Sequence, residues 1–233
     1  MMRKLHLSSL LLLLVLAATW TSSSLAQEEA AKPSEIVIKD DFEQGMDRWE
    51  PTEAAKWQIH QLTPENAVLE LLGKSNYQPP HRSPHSIVWL KDVVVEDFVI
   101  TVDVQTTQTS RGHRDMCVFF GEQNAANFYY VHLGEVTDDH SNQIFRVKDA
   151  PRIKISDKTT KGTPWKDATW HKIKVVRKVE SGLIEVYFDD METPQLTAPD
   201  KSFGAGRVGL GSFDDMGYFD NFELRGTTAA DAK

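Results

Sequence analysis

Alternation with period two limits what this chain can become more than any other feature. Between Arg114 and Val147 the sequence reads RDMCVFFGEQNAANFYYVHLGEVTDDHSNQIFRV, and its character changes at almost every step. The pattern predicts three strands, 115–121, 127–134 and 142–147, joined by a short turn at 122–126 and a polar loop at 135–141. In the middle strand Tyr129, Val131 and Leu133 share one face, and Phe128, Tyr130 and His132 share the other. Successive side chains of a strand point to opposite sides, so one row meets a core while the other is left over. A leftover row of Phe, Tyr and His, where Thr, Lys or Glu would be ordinary, reads as a working surface.

Short runs of the same kind fill the rest of the chain, at 36–42, 57–61, 67–72, 86–91, 98–106, 151–155, 170–178, 183–189, 207–213 and 218–225. Gly, Pro, Asn and Asp punctuate them, as at Gly73, Pro79-Pro80, Gly162, Pro164, Gly182 and Gly204. No long stretch keeps helical periodicity and no repeat of fixed period is present. Many short strands with regular turns point to one all-β domain over 36–226, a two-sheet antiparallel sandwich, with 227–233 as a frayed tail. Phe98, Ile100, Val102 and Val104 oppose Val99, Thr101, Asp103 and Gln105. Likewise Ile173 and Val175 oppose Lys172 and Lys174. Reading 98–147 as one antiparallel block that curves as it twists, we expect a concave outer face lined by Asp103, Gln105, Tyr130 and His132, since ligands are held in concave surfaces.

The first 26 residues combine a basic head (Arg3, Lys4), the leucine-rich run 7–18 and a small-residue site ending at Ala26. That is the layout of a secretory signal peptide, and the run is shorter than the roughly 20 apolar residues of a membrane span. The chain is therefore expected to be exported, periplasmic or extracellular, after cleavage near Ala26. Residues 27–35 form a charged linker. Removing Arg3 and Lys4 leaves 24 basic against 34 acidic residues, a net charge of −10. Nucleic acid needs a basic footprint, so this balance argues against it, and it disfavours an anionic membrane surface. The lone Cys117 cannot form an internal disulfide and reads as a small core residue. The core alone must hold the fold, and roughly 200 residues suffice for that.

The ordered phrases FEQGMDRW (42–49), FGEQNAANFYYVHLG (120–134), WHKIKV (170–175), IEVYFDD (184–190) and GRVGLGSFDDMGYFDNFEL (206–224) resemble the concanavalin A-like lectin/glucanase jelly rolls. Within them the chain looks most like secreted bacterial domains grouped with 3-keto-disaccharide hydrolases and laminin-G-like modules. The resemblance spans about 36–226. It implies the fold, and both binders and enzymes share that frame.

Several residue sets could carry function. Asp220, placed by alternation on the Phe222–Leu224 face, lies in the last strand, and Asp41 and Glu43 lie in the first. Together they could hold a structural Ca²⁺; the alternative is carboxylates that accept backbone N–H groups. The segments 81–85 (HRSPH) and 111–114 (RGHR) concentrate His and Arg in an acidic chain. Arg114 beside Asp115 could grip an anionic ligand group or form an internal salt bridge, for instance with Asp103. His140 and Gln143, at the edge of the loop after 134, suit sugar hydroxyls, with Tyr130, Phe128 or Trp89 as stacking platforms. The glycines at 209 and 211 read as tight packing before ligand approach. The glucanase pattern E-x-D-x-x-E is absent, as are zinc, serine-hydrolase, P-loop and dinucleotide motifs. The reading is a binder of oligo- or polysaccharide. The first alternative is a glycan-cleaving hydrolase or lyase using Asp103, Asp115, Tyr130, His132 or His140, and the second is an adhesion module.

Overall fold

The computed structural model describes Ser34 to Thr228. The expected signal peptide, most of the linker and the end of the tail lie outside these residues. Fifteen strands make up the described chain: β1 (Glu35–Asp40), β2 (Trp49–Pro51), β3 (Trp57–Thr63), β4 (Asn66–Leu71), β5 (Ser86–Leu90), β6 (Val95–Thr106), β7 (Cys117–Asn124), β8 (Asn127–His132), β9 (Gln143–Lys148), β10 (Ile153–Lys154), β11 (His171–Lys178), β12 (Leu183–Phe188), β13 (Leu196–Pro199), β14 (Arg207–Ser212) and β15 (Gly217–Thr228). One turn of 3-10 helix, Ala54–Lys56, is the only helical piece among them. No helix among the described residues is long and apolar enough to cross a membrane.

All pairings are antiparallel and build two sheets. One has the order β13-β12-β11-β6-β15-β4-β3, with β1 also on β15; the other runs β10-β9-β8-β7-β14-β5-β2. The core between them takes one row from each strand. Phe98, Ile100, Val102 and Val104 of β6, Ile173 and Val175 of β11, and Phe219 and Leu224 of β15 face Val118 and Phe120 of β7, Tyr129 and Val131 of β8, and Leu210 of β14. This is the expected sandwich: each strand presents an apolar row inward, and stacked sheets bury both.

Two expectations about placement change. The span 98–147 is not one block, because β6 belongs to the eight-stranded sheet and β7 to β9 belong to the seven-stranded one. Alternation along a strand cannot tell which sheet the strand joins. In addition, β15 bulges after Asp220, where its register on β6 shifts and Asn221 takes φ of 49°. The extra residue keeps both Phe219 and Phe222 in the core and turns Asp220 away from them, opposite Asp103. One inserted residue reverses every face assignment beyond it.

Candidate functional site

The outer face of the seven-stranded sheet carries a second apolar layer. Ile87 and Trp89 of β5, Cys117 and Phe119 of β7, Phe128 and Tyr130 of β8, and Phe145 and Val147 of β9 are all buried there as one cluster. Phe119, Tyr130 and Phe145 stack in a row, with centroids 5.7 and 5.1 Å apart. Trp89 meets Phe119 and Phe128 edge-on at 5.6 and 6.0 Å. Between β5 and β7 runs β14, whose Gly209 makes room for the indole. A Cβ there would lie 2.8 Å from a Trp89 ring carbon, so the glycine serves packing.

A face this apolar cannot stay in water, and the chain roofs it. Glu53 anchors the segment before β5 by accepting Ser75 Oγ at 2.8 Å and the Asn76 backbone N–H at 2.5 Å. Those bonds, the Asn76 one first, hold its carboxyl below the usual range. Arg152 N donates to Arg82 O at 3.1 Å. The Arg152 guanidinium sits 4.5 Å from the centres of both the Phe145 and Phe213 rings. It donates to the Tyr130 hydroxyl at 2.5 Å and to His140 O at 3.1 Å.

Tyr130 and His132 are consequently sealed, at 0% and 3% exposure, and do not look into an open hollow. Asp103 and Gln105 cannot join them, since β6 lies in the opposite sheet. Asp103 pairs instead with Lys172 and accepts Asn221 Nδ2 at 3.0 Å. Arg114 does not salt-bridge Asp103. It is buried and ties loops together, donating to Gln108 O at 2.9 Å and Trp165 O at 3.1 Å, with Glu135 2.8 Å from its Nε and Asp167 beside Nη1. Gln143 is buried and donates to Asp138 O at 2.9 Å. His140 stays exposed, its N–H held by Asp138. The anticipated groove is thus dispersed: its members belong to two sheets and a loop.

At one end of the sealed layer three carboxylates gather. Asp115, Asp214 and Asp215 each place an oxygen within 4.8 Å of the others. Asp115 is fully buried and accepts Phe213 N at 3.0 Å and Ser212 Oγ at 3.2 Å. Asp215 accepts Asp115 N at 2.7 Å and pairs with Arg111. Burial pushes the Asp115 carboxyl up to about 6, against those hydrogen bonds. The His132 Nε2 lies 3.7 Å from Asp115, and burial, then Arg152, lowers that imidazole to about 3. Oxygen ligands this close suit a hard cation, but one entering here would have to displace Arg111 from Asp215.

The expected calcium set is not assembled. Asp41 accepts Glu43 N at 3.3 Å, Glu43 accepts Ala67 N at 2.7 Å, and Asp220 accepts Asn221 N at 2.6 Å. Among the described residues these three do not converge as the Asp115 trio does. The bulge at Asn221 and these local N–H bonds account for the difference.

At the other end the aromatic layer opens into a cavity of about 170 Å³. Trp89 and Phe128 form its apolar wall; Glu122, Arg207, Tyr77 and Thr52 form its polar side. Arg207 grips Glu122 bidentately, Nε to Oε2 at 2.8 Å and Nη2 to Oε1 at 3.1 Å. A third bond reaches Glu50 at 2.7 Å, and the guanidinium lies 5.5 Å from the Trp89 ring centre. Burial, then the Glu122 charge, pushes the Tyr77 phenol up. Trp89 and Phe128 were legible as platforms. Glu122, Arg207 and Tyr77 were not: only the β7–β14 pairing brings Glu122 and Arg207, 85 positions apart, together, and Tyr77 lies in the irregular segment before β5.

No family model matches the chain, and no curated protein matches it in sequence. Solved structures do. The carbohydrate-binding module CBM66 from Bacillus subtilis superposes with a TM-score of 0.53 at 17% identity, covering 76% of this chain and 96% of that one. The winged bean acidic lectin, solved with methyl-α-D-galactose, gives 0.57 at 10% identity over 84% and 100%. The cellulose-induced protein Cip1 gives 0.56 at 10% identity over 80% and 96%. Likeness at such identities establishes the fold, a jelly-roll sandwich.

Proposed function

We propose that this protein is an exported carbohydrate-binding sandwich that takes one sugar ring of a glycan in the cavity between Trp89, Phe128 and the Glu122–Arg207 pair. The observation that carries the reading is that cavity. Aromatic faces accept the C–H side of a pyranose, and a carboxylate locked to a guanidinium offers acceptor and donor in one plane for hydroxyls. Its 170 Å³ is below the roughly 300 Å³ of ordinary small-molecule pockets, which suits one ring and not a chain lying along the sheet. The sandwich frame supports the reading by analogy only: one structural neighbour is named a carbohydrate-binding module and another was solved with a galactoside.

A glycan array, followed by calorimetry on the hits, tests this. Glu122→Gln removes one charged acceptor and is expected to weaken a hit about ten- to a hundredfold. Tyr77→Ala, on the roof, should weaken it too without unfolding the sandwich. Hits whose affinity neither substitution changes would place the sugar elsewhere. Release of reducing ends or unsaturated products would replace binding by cleavage.

A further inference from the structure

The edge strand β1 bonds through one side only. Ser34 accepts from Thr228 N at 3.0 Å, and the register carries that phase along the strand, Ile36 against Gly226 and Ile38 against Leu224. Even-numbered residues therefore spend their backbone groups on β15. The N–H and C=O groups of Glu35, Val37 and Lys39 point the other way. Among the described residues β15 is the only strand paired with β1, and the one bond to that outer row is Arg48 Nη1 to Lys39 O at 2.9 Å.

This edge is apolar as well as open. Val37 is 55% exposed, and a groove of about 810 Å³ beside β1 is lined by Ile36, Val37, Ile38, Val93 and Val94, with Asp92 and Thr228 as its polar members. Unpaired apolar edges are templates for another strand, and folded proteins cover or pair them. The sequence of the edge selects the partner. Glu-Ile-Val-Ile-Lys, residues 35–39, is its own complement when read antiparallel.

We propose that two copies of this chain pair β1 to β1 about a two-fold axis at Val37, joining their eight-stranded sheets into one. Glu35 of each copy then faces Lys39 of the other, and Val37 faces Val37. Ile36 meets Ile38 in the closer, non-hydrogen-bonded position. The free backbone groups of 35, 37 and 39 are the ones this register uses. Lys39 already holds Glu223 at 3.0 Å, so the row across the junction alternates in sign: Glu223, Lys39, Glu35 of the second copy. Registers centred on Glu35 or Lys39 would set like charges opposite each other. The Lys39 carbonyl keeps a second lone pair for the incoming N–H beside Arg48. The result is an isologous interface, which closes at two copies.

Sedimentation of the purified protein across concentration tests this, with two kinds of substitution. Val37→Pro removes the N–H that faces away from β15, where an edge strand tolerates proline. Losing two central bonds per dimer should weaken association about ten- to a hundredfold. Glu35→Lys and Lys39→Glu should each weaken it alone, and mixing the two variants should restore it, because the heterodimer opposes unlike charges at both ends. A monomer at every concentration overturns the proposal. So does a dimer indifferent to Val37→Pro, or a monomer whose Val37 amide is protected from hydrogen exchange, which would mean that the chain's own tail covers the edge.

Discussion

Replacing Asp115 by Asn should change how stability depends on pH, and the sign follows from the burial of this carboxylate. Asp115 is wholly enclosed, with Asp215, Asp214 and the neutral His132 around it, and Arg111, the cation paired with this group, is engaged by Asp215 and Asp214. Its carboxyl rises from 3.8 to about 6, and Asp215 is also raised by burial and by the charge of Asp115. Between about pH 4 and 6 the folded chain therefore holds a proton that the unfolded chain has released. Stability linked to that proton is complete below the unfolded value and is lost as pH rises through the folded one. A displacement of this size corresponds to about 3 kcal/mol. Urea unfolding of the parent and of Asp115→Asn from pH 4 to 8 isolates the effect. Carboxyls held low by hydrogen bonds and cations, such as Asp138, Asp190 and Asp200, act in both proteins and cancel in the difference. Parent stability minus variant stability should fall by up to about 3 kcal/mol across that window and be flat above pH 7. Parallel curves, or a difference that rises with pH, would refute the reasoning.

Arg114→Met leaves the Gln108 and Trp165 carbonyls without their donor, and Glu135 and Asp167 without their cation, and should cost about 2–4 kcal/mol in urea unfolding. Arg111→Ala frees Asp215 and Asp214. Ca²⁺ should then raise the melting temperature of the variant while leaving that of the parent unchanged. Cys117 is buried against Asp115, and burial first, then that charge, pushes its thiol well up. Iodoacetamide should leave it unmodified in the native protein and label it fully in urea.

The sandwich was readable because strand faces are a local property. Phe98–Val104 and Tyr129–Leu133 alternate as they must, and strands predicted at 183–189 and 207–213 are found at Leu183–Phe188 and Arg207–Ser212. Short elements escaped: β2 and β13, of three and four residues, carry too few steps for a period to show. The candidate site was legible only in its aromatics. Alternation correctly put Phe128, Tyr130 and His132 on the outer side, but whether an outer face meets water depends on what lies above it. Here that is Arg152 and the segment anchored by Glu53, whose polar residues look like any loop. The Glu122–Arg207 clamp is set by the pairing of β7 with β14, which no local pattern encodes.

The double layering of β8 has a consequence for how the strand finds its place. On most sheets a slip of one residue is punished because it turns greasy side chains out to water. In β8 both sides are apolar and both are covered, so the slipped strand would lose little by that measure. Discrimination must come from the tips of the two tyrosines. Tyr129 reaches Asp200 at 2.5 Å and receives Phe203 N at 3.0 Å on one side, while Tyr130 meets Arg152 on the other. A slip of one residue, in either direction, would bring one tyrosine to the other's place and leave one hydroxyl and one set of partners unmatched, so these phenols act as the pins that index the sheet.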